Sequence, residues 1–264
     1  MRSAMVDTIV RREVLEIVRN RLLVASMVIP PIILIAAPLA LSRLAADAGE
    51  TLPAGFAAQV LASRPSWASL APTQLVAAYS LQQFLAIFLI MPAYVPLSIA
   101  TFSIVGEKQS HSLEAVLATP IRTSELLAGK SIAAVVPGVL TAWFSYGILV
   151  GLAGLLLGPQ LSAVLADRSW LAAVFLLGPA IGIVSCVAGI IVSSRVNDAR
   201  VAQQIGGVVI LPFASIAVLQ AVSGYLFGVR EYLVATAVTG VAGLAGIGLA
   251  VFLFGRESIL TRWR

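Results

Sequence analysis

The chain of 264 residues is 59% hydrophobic and only 11% charged, against roughly 25% charged in an ordinary water-soluble domain. Its mean hydropathy of +1.00 rules out a water-soluble globule and points to a membrane protein. The net charge of +5 does not mark a nucleic-acid binder, because the cations flank apolar runs instead of forming one dense patch.

Residues 5–19 are the first predicted element. Val6, Ile9, Val10, Val14, Ile17 and Val18 recur at helical spacing, while Asp7, Arg11, Arg12, Glu16 and Arg19 occupy most of the opposite face. The pattern reads as an amphipathic helix in the membrane interface, with its arginines near anionic head groups. A soluble helix on a cytosolic partner is the alternative, and direct continuation into an apolar run favours the interface.

Apolar runs follow at about 22–41, 78–105, 132–157, 170–193, 204–222 and 232–254, each free of Asp, Glu, Lys, Arg and His. Lipid offers no water to backbone polar groups, so such runs must be helices or strands of a closed barrel. Barrel strands are about half this long and alternate polar with apolar residues, which leaves six transmembrane helices. The first run is no secretory signal: Arg19 and Arg21 open it, and it lacks a short apolar core followed by a small-residue cleavage site.

Six spans put both termini on one side. That side carries Arg2, Arg11, Arg12, Arg19, Arg21, Lys108, Arg122, Lys130, Arg195, Arg200, Arg256, Arg262 and Arg264; the other carries Arg43, Arg64, Arg168 and Arg230. Thirteen cations against four predict cytoplasmic termini, with residues 106–130 and 194–203 also cytoplasmic. Residues 42–77, with Pro53, Gly55, Trp67 and Pro72, become the main external segment. It is too short for an independent domain and is expected to lie partly on the membrane surface.

Pro30–Pro31, Pro92 with Pro96, Pro137, Pro179 and Pro212 each remove a helix hydrogen bond and are expected to bend their spans. The patterns Gly147-x-x-x-Gly151 and Gly240-x-x-Gly243-x-x-Gly246 allow close helix contact, within the chain or across a dimer. Ser223–Gly228 suits either a short re-entrant return or an ordinary external loop.

Signs of an enzyme or a cofactor are missing from the sequence. His111 is the only histidine, with no second His or Cys partner to complete a metal cluster, and reads as an exposed loop residue. Cys186 lies within an apolar run and reads as a small core hydrophobe. Ala128-Gly129-Lys130-Ser131 imitates the end of a phosphate-binding loop, but that motif needs glycine where Ser124 stands. Lys130 therefore reads as a charge flanking the third span. The spans also lack the ionisable groups of proton relays; Gln82, Gln83, Tyr79, Tyr94, Tyr146, Asn197 and Gln203–Gln204 are scattered polar handles.

The long polar passage 106–130 remains. Gly106 closes the second span, Ser110 or Ser112 can cap a short helix with Glu114 near its start, and Thr119-Pro120 ends it. Ser124 can cap a second short helix running toward Lys130. The order Gly106-Glu107-Lys108, Ser112-Leu113-Glu114-Ala115-Val116-Leu117, Ala118-Thr119-Pro120-Ile121 and Glu125-Leu126-Leu127-x-Gly129-Lys130 resembles the cytoplasmic loop of ABC-2 type transporter permeases. The whole chain resembles that family in having an amphipathic N-terminal helix, six spans and a cytoplasmic C-terminus. One departure is His111-Ser112, where the family has Gly-Thr; serine keeps the hydroxyl cap.

The resemblance implies a single transmembrane domain over 1–264, all-α and polytopic in the cell membrane, with a short coupling helix in the loop. It implies a permease subunit of an ATP-driven exporter. Its partners would be a separate ATP-binding subunit, a second or homologous permease and membrane lipid, with no nucleic acid. Glu107, Glu114, Thr119 and Pro120 are the expected coupling residues, the acids for charge pairing and the rest for helix geometry. An ion-coupled secondary carrier and a non-transporting accessory membrane protein are the alternatives. The substrate is not legible.

Overall fold

Asn20 is the first break: its Oδ1 accepts from Leu23 N at 3.3 Å, and a helix cap at that point separates α1 (Arg2–Arg19) from α2 (Arg21–Asp47). The computed structural model describes residues 2–110 and 123–253. The elements that follow are α3 (Ala54–Ser63), a 3-10 turn (Pro65–Ser69), α4 (Pro72–Phe88), α5 (Ile90–Gln109), α6 (Thr123–Leu156), α7 (Pro159–Leu165) and α8 (Arg168–Ala172). A π-turn (Ala173–Leu177) leads into α9 (Gly178–Arg195), and α10 (Ala199–Gly206) passes through a 3-10 turn (Gly207–Ile210) into α11 (Leu211–Ser223) and then α12 (Val229–Leu253).

No strand occurs among the described residues. Six helical stretches are long and apolar enough to cross a membrane: Leu23–Asp47, Pro72–Gln109, Ser124–Leu156, Pro159–Arg195, Ala199–Ser223 and Val229–Leu253. The protein is an all-α polytopic membrane protein. All six are longer than the apolar cores expected from sequence, because polar and small residues at their ends continue the helix.

Eight of the thirteen prolines fall into two groups. Pro30, Pro31, Pro38, Pro96 and Pro137 lie inside helices. Pro92, Pro179 and Pro212 sit instead in the first turn of a new segment, after the break at Leu89, the π-turn and the 3-10 turn. There the missing N–H has no helix partner to lose. At these three the span is jointed at a helix start, where the sequence alone predicts a bend within one helix.

Helix α5 is the buried axis, and α9 lies against it. A Cβ on Gly182 would stand 3.2 Å from Pro92 O, and one on Gly189 would stand 3.1 Å from Leu97 O. Only small residues permit that backbone approach. Gly243 and Gly246 also pack within the chain, against Ile183 and Val187. Gly147, Gly151 and Gly240 touch nothing that a Cβ would meet, so the first predicted pattern makes no close contact within this chain. By contrast, Ile32 and Ile33 of α2, Val218 and Val222 of α11, and Val238 and Leu244 of α12 are exposed, as lipid-facing positions require.

Several polar handles hold the core together. Trp170, fully buried, donates from Nε1 to Gln82 Oε1 at 3.1 Å, stacks on Tyr146 with ring centroids 5.9 Å apart and meets Phe88 edge-on at 6.1 Å. Tyr146 in turn donates to Leu165 O at 2.8 Å. These contacts join four helices, with Gln82 Oε1 paired and its Nε2 left without a hydrogen-bond partner among the described residues. Cys186 is buried in the second core cluster, as a small hydrophobe would be.

Residues 42–77 are built into the bundle and do not merely rest on a surface. Val60 and Trp67 are buried in the main core. Arg64 donates to Phe227 O at 2.7 Å and lies 3.6 Å from Asp167, so it joins three connections. The turn after α11 is tight: Gly224 takes φ 64°, a left-handed conformation that glycine adopts without strain. Phe227 N donates to Gln220 Oε1 at 3.2 Å and Gly228 N to Glu231 Oε2 at 2.8 Å. Ser223–Gly228 is thus a short capped connection without a helix of its own.

Candidate coupling site

At the other end of the bundle, three helices converge on one ammonium group. On α1, Ile9, Glu13 and Ile17 recur every four residues and face the bundle, Glu13 and Ile17 being buried. On α5, Ser103 and Glu107 are likewise one turn apart and share a face. Lys130 lies two turns into α6, whose first turn carries Glu125, an acid suited to a helix N-terminus.

Lys130 Nζ donates to Glu13 Oε1 at 2.6 Å and to Ser103 Oγ at 2.6 Å. Ser103 Oγ donates to Glu13 Oε2 at 2.7 Å, closing the ring. Glu107 Oε2 lies 3.0 Å from Nζ as an ion contact without hydrogen-bond alignment. Lys130, Glu13 and Glu107 are 3%, 4% and 5% exposed. Their burial changes the energetics, since removing one partner of a buried ion pair costs about 3–5 kcal/mol, whereas exposed pairs contribute about 0–1 kcal/mol.

In the cluster two carboxyl groups face one ammonium. Arg12 is near enough to respond. Burial acts to lower its pKa, but the hydrogen bond and charge of Glu16, with the charges of Glu107 and Glu13, outweigh it and raise the value. The Arg12–Glu16 pair itself, at 2.9 Å, is exposed on the outer face of α1.

The packing around the cluster is close. A Cβ on Gly129 would stand 2.7 Å from Ile9 Cγ2, so glycine at 129 is what lets α1 reach Lys130. The end of α5 is tied elsewhere as well. Lys108 Nζ donates to Ser194 O at 2.7 Å and Val196 O at 3.1 Å, and Gln109 Nε2 to Asn197 O at 3.1 Å. Lysine at the free carbonyls of a helix end is a favourable C-terminal arrangement. Beyond it, Asp198 Oδ1 accepts from Arg200 N and Val201 N and starts α10.

Of the four residues expected to couple, Glu107 lies in this cluster. Glu114, Thr119 and Pro120 fall outside the described residues, as does His111. Ser110 donates from Oγ to Gly106 O at 2.9 Å, and α5 runs to Gln109, past the expected end at Gly106. The second short helix predicted from Ser124 is not separate: residues 123–156 form one helix, with Leu126 and Leu127 buried in its second turn. Lys130 is no solvated flanking charge but the centre of the cluster. Glu13 and Ser103 are absent from the sequence-predicted set. The available signal was an acid on the apolar stripe of α1, four residues from both Ile9 and Ile17.

The polar end of the bundle thus gathers the N-terminal helix and both borders of the loop between the second and third spans. No curated protein matches the chain. The family model described as ABC-2 family transporter protein matches residues 8–231, from within α1, through all three charged partners, to the first turn of α12. The six-span helical bundle and this match together place the chain in the ABC-2 family of transporter proteins.

Proposed function

We propose that the chain is the permease subunit of an ATP-driven exporter, and that a separate ATP-binding subunit moves it by docking on residues 106–130. The termini and this loop lie in the cytoplasm, and two permeases, identical or homologous, combine with two ATPases. The observation that carries the reading is the buried contact of Glu13, Glu107 and Lys130, which fastens both borders of the loop to each other and to α1.

A force on the loop reaches α5 through Glu107 and α6 through Lys130. Because parting these charges is costly in a buried setting, the three helices move together under load. Glu107 and Glu114 supply charge, and Thr119 and Pro120 set the geometry of the contacting helix. Transport then consists of rocking the two permeases between access states as nucleotide binds and leaves the ATPases.

Co-expression with a candidate ATP-binding partner, followed by reconstitution, tests the proposal. The pair is expected to co-purify, and the chain to stimulate ATP hydrolysis. Glu107→Gln and Glu114→Arg are expected to lower that stimulation while assembly persists. Substrate flux through the chain alone, driven by an ion gradient, would overturn the reading in favour of a secondary carrier.

A further inference from the structure

Away from the charge cluster, α9, α11 and α12 part to leave an apolar crevice of about 640 Å³. Val184, Phe213, Val234, Val238 and Ala242 line it, and Thr239 contributes the one hydroxyl side chain. Val234 and Val238 are 57% and 64% exposed, so the crevice opens sideways toward lipid. Its lining on α12 runs from Arg230 to Ala242, about 18 Å along a helix. A single leaflet of a hydrocarbon core is about 15 Å deep, so the crevice has the length of one leaflet.

The two charged residues at its mouth differ. Glu231 is occupied: Oε1 accepts from Tyr225 OH at 3.2 Å and Oε2 from Gly228 N at 2.8 Å. Arg230 is exposed and makes no ion pair or hydrogen bond among the described residues. A guanidinium at the end of a leaflet-deep apolar groove matches a molecule with an acyl chain and an anionic, phosphate-bearing head. A purely apolar occupant would cover the walls but leave the cation at the mouth without a counter-charge.

We propose that this crevice is a lipid site, holding one acyl chain of an anionic membrane phospholipid with its phosphate on Arg230. The full chain in nanodiscs of equal phosphatidylglycerol and phosphatidylcholine, released gently for native mass spectrometry, provides the test. Preferential retention of phosphatidylglycerol is expected. Arg230→Ala should reduce that preference about tenfold, the worth of one charge-assisted contact, and Arg230→Lys should restore most of it. Ala242→Phe, which fills the crevice, should release both lipids from a protein of unchanged melting temperature. Equal retention of the two lipids by the unaltered chain, or an unchanged preference in Arg230→Ala, would overturn the proposal. So would a retained second chain in place of lipid. None of these readouts depends on an ATPase, so failure here leaves the coupling proposal standing.

Discussion

Lys130 and Glu13, 117 residues apart in the chain, meet at 2.6 Å in a setting nearly closed to solvent. The contact turns an amphipathic N-terminal helix into part of the bundle. It also makes the third span answerable to whatever displaces that helix.

Removing the ammonium should therefore cost more than removing any surface charge. Lys130→Ala is expected to destabilise the chain by about 3–5 kcal/mol, because two buried carboxylates lose their counter-ion. Glu16→Gln, at the exposed pair with Arg12, should cost less than about 0.5 kcal/mol. Replacing the cluster as a set, Glu13→Leu with Glu107→Leu and Lys130→Met, should recover most of the loss. Melting temperatures in detergent, followed by tryptophan fluorescence, would rank the variants. Equal melting of Lys130→Ala and Glu16→Gln would contradict the burial argument.

A second expectation concerns shape. In Gly129→Ala the new methyl group runs into Ile9, only 2.7 Å away, and such overpacking costs about 1–3 kcal/mol. Adding Ile9→Ala removes Cγ2 but keeps Cβ, 2.9 Å from the new methyl group, so it should recover only part of that loss. Fully additive costs in the double variant would show that α1 does not rest on Gly129. Disulfide trapping between cysteines placed on α1 and α6 offers an independent measure of their separation.

The sequence reveals the spans readily because lipid tolerates no charge and no unpaired backbone over about 20 residues. It also marks 106–130, since a polar passage between two spans is conspicuous, and Glu107 lies at its border. The cluster partners are harder to see. Periodicity assigns Glu13 a face of α1, but nothing local says what that face meets 117 residues later. Lys130 follows the same pattern as any cation flanking a span, and only its burial distinguishes it. The joints before Pro179 and Pro212 were hidden for another reason: a proline indicates a lost hydrogen bond, not whether the helix bends or starts anew.

The opposite end depends on one guanidinium. Arg64 reaches both Asp167 and the Phe227 carbonyl, and its loss should free the 223–228 connection first. Arg64→Met is expected to speed amide exchange there by about tenfold, the equivalent of one hydrogen bond of about 1.4 kcal/mol. Exchange in α5 should be unchanged. Hydrogen–deuterium exchange with mass spectrometry would check both, and uniform acceleration across the bundle would indicate global loosening instead.

In the core, Trp170→Phe leaves Gln82 Oε1 without its donor and should cost about 1–3 kcal/mol. Gln82→Leu combined with Trp170→Phe should be milder than Trp170→Phe alone, because the apolar pair leaves no stranded acceptor. A double-mutant cycle on melting temperature measures the difference.

The 117-residue separation of Glu13 from Lys130 also sets a clock on biogenesis. At about 5–20 residues per second of synthesis, Glu13 is made roughly 6–23 s before its ammonium partner. Throughout that interval the N-terminal helix cannot take its final position. Val14, Leu15 and Val18, which stay exposed even in the finished fold, give it an apolar edge by which to wait at the membrane surface. Docking of the first helix on Lys130 is therefore expected late in assembly, once the third span has been made.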